Sequence, residues 1–189
     1  RQEIFDVIRP GEELVEEPFQ RLIERKELLA HSHDGFWLSM DTFKDKEFLD
    51  AAAKANIPVV VAPGCLDMVN FGEMASIPEK FKGRNFYIHN PQITLMRTTT
   101  DECRQLGAIV AKKANAYQAG TAIMIPRKAI SVISAVGQPF HDAAADEALF
   151  TALKSNATVP VQEFDLAIND KEFAQACAYK LIELIGCRS

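Results

Sequence analysis

The sequence predicts an α/β layered fold with a mostly parallel sheet flanked by helices. Three observations point there. From residue 57 onward, short β-branched runs of strand length recur, amphipathic stretches of helical length separate them, and the connections are brief and rich in Gly, Pro, Asp and Asn. The first run, Ile57 to Pro63 (IPVVVAP), has the continuous apolar character of a strand covered on both faces. Phe86 to Asn90 and Ile93 to Thr98 supply further extended pieces.

Thr99 stands three residues before Glu102, the spacing of a capping box, and the helix it opens runs to about Asn115 with Leu106, Ile109, Val110 and Ala114 on one face. Thr121 to Pro126 is the next buried strand. Beyond it, Gly137 and Pro139 lead into a helix that Asp142 can cap, with Ala148, Leu149, Ala152 and Leu153 as its stripe. Val159 to Leu166 reads as a strand; Asn169 and Glu172 then repeat the capping-box spacing before a last helix ending at Gly186. Ahead of residue 57, a strand is expected at Ile4 to Ile8 and another around Leu38 and Met40. Helices are expected at Val15 to Leu29 and at Lys44 to Ala55. The whole chain, 1–189, reads as a single α/β domain.

Composition narrows the function classes. With 48% hydrophobic and 25% charged residues the chain has ordinary globular composition, which excludes intrinsic disorder. No apolar run approaches the ~20 residues that span a bilayer, and the amino terminus lacks a signal-peptide pattern, so a cytoplasmic protein with no membrane partner is expected. The net charge of −5 and the scattering of 21 Lys and Arg argue against nucleic acid as a partner. Cys65, Cys103, Cys177 and Cys187 form no CxxC pair and read as reduced thiols. A start on Arg1 in place of Met reads as a piece of something longer.

Ligands in an open α/β sheet settle beyond the carboxyl ends of the strands. Polar loops expected there are Pro63 to Asn70, Arg97 to Asp101, Arg127 to Ser131, and Asn169-Asp170. The Arg97-Thr98-Thr99-Thr100 run opens a helix and suits a phosphate or carboxylate. Placed so, Arg97 would be a ligand-facing side chain whose loss weakens binding and leaves the fold alone. Asp67 follows a Pro-Gly turn after a strand, as a general base or metal carboxylate does; bonding to its own loop is the alternative. Cys65 lacks a motif partner for nucleophilic chemistry. His89-Asn90-Pro91 reads as a ligand contact, because it puts polar groups into an apolar segment, or as a turn before a proline, and His141-Asp142 reads as a helix start. His31-Ser32-His33-Asp34 looks at first like a pair of metal ligands at a strand end with Asp41 as a third, but the stretch reads better as structural, with Phe36, Leu38 and Met40 on one face of a strand and Trp37 on the other. There is no GxxxxGK[ST] loop and no GxGxxG after a strand.

The segments APGCLDMVNFG, FYIHNPQITLMRTT, VGQPFHDAAADEALFTAL and INDKEFA, in that order, resemble the Tm-one-like ATP-binding family, also catalogued as an uncharacterised protein family. The resemblance covers about residues 51–186. It implies the carboxyl-terminal subdomain of a Rossmann-like protein with ATP as ligand, and the positions matching its motifs are Asp67, Asn70, His89, Asn90, Arg97, Thr98, Ser131, Gly137 and Asp170. Ala129 stands where that family usually has a glycine.

Residues 3–50, with HDGFW followed by MDT, resemble the later part of glucose-1-phosphate cytidylyltransferase, a sugar nucleotidyltransferase. There Asp41 would be a carboxylate ligand of magnesium, although that family's glycine-rich nucleotide loop is missing here. The two resemblances meet near 50–54, and the chain looks like a chimera of them. The expectation is an α/β domain that binds a nucleotide or phosphate weakly, with ATP and magnesium as the implied cofactors and no catalysis of its own. Self-association is expected to cover the surface left by absent parental halves.

Overall fold

The computed structural model of the chain describes Arg21, Glu24, Arg25 and residues 55–186. Packing separates two compact units, Arg1–Ser39 and Met40–Ser189, and the elements below belong to the second. In chain order they are β1 (Val59–Val61), β2 (Met68–Phe71), β3 (Phe86–Asn90), β4 (Ile93–Arg97), α1 (Thr100–Asn115), β5 (Thr121–Pro126), α2 (Ala143–Asn156), β6 (Val161–Phe164) and α3 (Lys171–Gly186). Short 3-10 turns lie at Met74–Ser76, Glu79–Phe81 and Val132–Ser134.

Two sheets form. β1, β5 and β6 make a three-stranded parallel sheet in the order β1-β5-β6, flanked by helices as expected. β2, β4 and β3 make a separate antiparallel sheet, inserted between β1 and the helix that returns to β5. The segment Met68 to Asn70, read from sequence as loop, is therefore strand: β2 has partners supplied by β4, with Met68 opposite Arg97.

β1 is shorter and wetter than IPVVVAP suggests. Only Val59–Val61 pair, all half-buried, because Pro58 and Pro63 bracket them without an N–H for the ladder, and β5 is their partner on one side. β6 is likewise shortened to Val161–Phe164, at the other edge of the described sheet. β5 is the centre and is buried throughout. Ile123 and Ile125 face the cluster of Cys103, Ala111, Ala114, Leu149, Phe150 and Leu153 from α1 and α2.

The buried face of α1 departs from the expected one. Cys103, Gly107, Ala111 and Ala114 are buried, whereas Ile109 is 50% exposed. The reason is close helix approach: α1 and α2 pack on small residues, so the inward line is the one with least side chain. Leu106 and Val110 flank it, partly buried. The start of α3 also departs. The Asp170 carbonyl accepts from Phe173 N and Ala174 N, so Asp170 occupies the cap position and the expected Asn169–Glu172 box is replaced.

The capping box of α1 is present: Thr99 Oγ1 accepts from Glu102 N at 3.2 Å and the Glu102 carboxylate accepts from Thr99 N at 2.7 Å. Glu102 also takes the Arg84 guanidinium at 2.6 Å, which ties the helix start to the segment leading into β3 and holds the Glu102 carboxyl below its usual range. Thr99→Ala should cost about 1 kcal/mol, read as a lower denaturation midpoint at unchanged slope.

Of the helix expected at Val15 to Leu29, Arg21 and Glu24 are helical and Arg25 lies in a turn. Ala55, the end of the helix expected from Lys44, is in a turn. The rest of those helices, the strands at Ile4 to Ile8 and around Leu38 and Met40, the residues His31, His33, Asp34 and Asp41, and the junction at 50–54 lie outside the described residues. No helix among the described residues is long and apolar enough to cross a membrane.

Candidate functional site

The loops that leave the carboxyl ends of β1, β5 and β6 are tied to one another by backbone bonds. Cys65 N donates to Ile130 O at 2.9 Å, and Ile168 N donates to Ala129 O at 2.9 Å. Gly64 makes the first junction close: a Cβ there would lie 2.7 Å from Ile168 Cδ1. Cys65 beside it is exposed and holds a left-handed backbone, φ 56°, which turns the chain sharply from β1 toward Asp67.

Asp67 sits where these loops meet and is fully buried. Ser131 Oγ donates to its Oδ2 at 2.7 Å, while Oδ1 is buried with no hydrogen-bond partner among the described residues. Burial therefore pushes the Asp67 carboxyl above the usual aspartate range, against the pull of the Ser131 hydroxyl and of Arg97. Ser131 is itself locked. Its Oγ accepts from Ser134 N at 3.1 Å, and Ser134 Oγ accepts from the Ile130 and Ser131 amides.

Arg97 ends β4 directly beneath Asp67 and is 5% exposed. Its Nε donates to Phe140 O at 2.8 Å; Nη1 donates to Asp67 O and Thr98 Oγ1; Nη2 donates to Asp142 O and, at 2.6 Å, to Asp146 Oδ1. All the guanidinium's donors have acceptors inside the protein. Thr98 is equally engaged, its hydroxyl donating to Leu66 O at 2.9 Å and meeting Cys103 Sγ at 3.2 Å, its amide donating to Asp67 O. The Arg97-Thr98 pair thus fastens β4, the β1 loop and the start of α2 together. Burial raises the Cys103 thiol, which makes it a packing group and not a nucleophile.

The other expected site residues divide. Asp170 lies in the β6 loop, its carboxylate accepting from its own Ala167 amide at 2.8 Å. Thr99 caps α1 at the same end of the molecule. Asn70 is exposed on β2, opposite Leu95. His89 and Asn90 are not brought to Asp67. Asn90 turns the β3–β4 hairpin, accepting from Gln92 N at 2.9 Å, at the far end of β4 from Arg97, about 13 Å away at ~3.3 Å per residue. Gly137 makes an open turn at φ 81°, and the Ala129 methyl is buried between the β5 and β6 loops. His141 precedes the Asp142 cap of α2, with Nδ1 3.3 Å from Ser134 O.

Asp146 is the partner that sequence reading missed. It shares a helix face with Leu149, Phe150 and Leu153, and a carboxylate on an apolar stripe was the available signal. Burial raises its carboxyl, and Arg97 opposes that rise. Among the described residues no group of three or more His, Cys, Asp or Glu could hold a metal ion. What the arrangement offers chemically is a buried carboxyl with one oxygen lacking a partner among the described residues and a hydroxyl fixed against it.

Comparison with known proteins places this geometry in a family. The profile of the C-terminal domain of an uncharacterised protein family, UPF0261, matches residues 26–185, a span that includes 50–54. A UPF0261 protein of Clostridium tetani is 46% identical over 140 residues, covering 72% of this chain and 35% of that protein. One from Mesorhizobium japonicum is 42% identical over 132 residues, covering 68% and 33%. The ToMV resistance protein Tm-1 of Solanum lycopersicum is 35% identical over 144 residues, covering 74% of this chain and 19% of its own length. The chain thus spans about a third of the bacterial relatives and about a fifth of the tomato protein.

Proposed function

The chain belongs to the UPF0261 family as its C-terminal domain, and from that premise we propose that the loops around Asp67 form one wall of a crevice for a nucleotide or other phosphorylated small molecule. One observation carries the reading. The loops after β1, β5 and β6 are bonded to one another beside Asp67, and Arg97 links the Asp67 backbone to the Asp142 cap of α2. First turns leave backbone N–H groups without intrahelical acceptors, and such groups suit an anion. Arg97 then acts as a girder under the site, and the phosphate is met by backbone amides and by Lys128, whose ammonium stands on the β5 loop near the exposed Asp165 at 3.3 Å. ATP is the ligand that the family resemblance implies.

Titration of the full chain with ATP, ADP and inorganic phosphate, each with and without magnesium, tests this. ATP at a hundredfold excess over Kd should stabilise by about 2.7 kcal/mol, a rise in Tm of roughly 5–10 °C. Lys128→Ala should weaken ATP several-fold and leave the ligand-free Tm within about 1 °C, as a surface substitution does. No shift with any phosphate compound at millimolar concentration would end the proposal. The second reading, cytidylyl transfer with Asp41 on magnesium, rests on the HDGFW and MDT runs outside the described residues. It requires pyrophosphate release from CTP and glucose 1-phosphate, and silence in that assay removes it.

A further inference from the structure

We propose that Asp67 and Ser131 form a proton-operated latch between the β1 and β5 loops, closed when the Asp67 carboxyl is neutral and opened when it ionises. Geometry carries the proposal. A fully buried carboxylate with one oxygen bonded to Ser131 and the other without a partner among the described residues is costly to hold ionised. The nearby guanidinium relieves it only in part, since Arg97 reaches the Asp67 backbone oxygen and directs its ion pair to Asp146. A proton removes the charge, and the 2.7 Å contact with Ser131 Oγ can persist when it does.

Ionised, the group gains by letting water reach Oδ1, and the surrounding contacts show what has to part. The β1 loop is held to the β5 loop by Asp67–Ser131 and by Cys65 N–Ile130 O alone among the hydrogen bonds described between them. The charged and titratable groups around Asp67 do not compete for this role. Arg97 on β4 is paired with Asp146 on α2; Asp142 caps α2; His141 faces Ser134 O; Cys103 on α1 meets Thr98; Asp170 on the β6 loop holds its own Ala167 amide.

The sign follows from burial, which raises the Asp67 carboxyl above the ordinary aspartate value. Below that ordinary value folded and unfolded chains both carry the proton. Between it and the raised value the folded chain alone keeps it, so stability falls as pH rises through this window and the penalty is complete above it. Asp67→Asn abolishes the penalty and should raise the Tm at pH 8, with the difference shrinking toward pH 4.

Amide hydrogen exchange on the full chain, corrected for intrinsic rates, reads the latch directly. As pH rises through the raised Asp67 value the amides of Cys65, Ile130 and Ser134 should lose about tenfold protection, while those of Ala111 and Leu149 in the helical layer hold. In Asp67→Asn the three amides should stay protected at every pH. In Ser131→Ala the contact with Asp67 is gone and Ser134 N has lost its acceptor, so the Cys65 and Ser134 amides should be poorly protected already at low pH. A pH course that neither substitution alters, or protection lost uniformly along the chain, would overturn the proposal.

Discussion

Arg97→Ala should unfold this domain more readily by about 3–5 kcal/mol, the loss expected when one partner of a buried ion pair is removed. The expectation from sequence was the opposite, a ligand contact whose loss leaves the fold intact. The reversal is a matter of where the donors go. At 5% exposure the guanidinium carries bonds to Phe140 O, Asp67 O, Thr98 Oγ1, Asp142 O and Asp146 Oδ1, so truncation removes a shared donor from three separate segments and strands the Asp146 carboxylate without its counter-charge. Asp146→Asn should restore part of the loss in the Arg97→Ala background, since it removes the stranded charge. Equilibrium urea unfolding of the two single variants and the double variant measures the coupling, expected at 1 kcal/mol or more. Additive losses would mean that the pair contributes only as two separate hydrogen-bonding groups. Arg97→Lys should be nearly as damaging as alanine, because an ammonium has neither the reach nor the planar fork to serve β4, the β1 loop and α2 together.

How much of this was legible follows from the range of each interaction. Caps are local, and Thr99 with Glu102 and Asp142 before its helix were readable because residue types at fixed spacing satisfy known orphan amides. β5 was readable because a central parallel strand is apolar on both faces. β2 was not: MVNF has one turn-forming asparagine among apolar residues, and its strand character comes from β4, some 25 residues away, as a partner. Placing Asp67, Ser131 and Asp170 at one edge was legible from strand order alone, whereas the inward turn of Arg97 was not. An arginine before a Thr-rich helix start looks alike whether it faces phosphate or Asp146, and only the packing of α2 across β4 decides between them. Asn90 was open in the same way between ligand contact and turn, and its bond from Gln92 N puts it at the β3–β4 hairpin.

The helical layer yields the other large effect, because it holds α2 against Arg97. Gly107→Val should destabilise by roughly 3 kcal/mol or more, beyond the usual cost of an overpacked core position. A Cβ built on Gly107 falls 2.6 Å from Leu149 O, 2.8 Å from Ala152 Cβ and 3.2 Å from Leu153 N. Two of those three neighbours are backbone atoms of α2, which no rotamer change can move, so α1 and α2 must separate along their whole contact. Gly107→Ala is the informative control. Alanine gains about 1 kcal/mol of helix propensity over glycine, so a net loss in that variant can come only from the contact with α2. The displacement should reach the site as well: Asp142 and Asp146 ride on the first turn of α2, and shifting that turn lengthens their bonds to Arg97. Thermal unfolding of Gly107→Ala and Gly107→Val, followed by Leu149→Ala in the Gly107→Ala background, tests the chain of cause. Leu149→Ala lightens the core without touching the Leu149 carbonyl, so it should leave the Gly107→Ala penalty in place and add its own cavity cost of about 2–5 kcal/mol. Relief of the penalty by that second substitution would show that side-chain crowding, and not backbone approach, sets the distance between the helices.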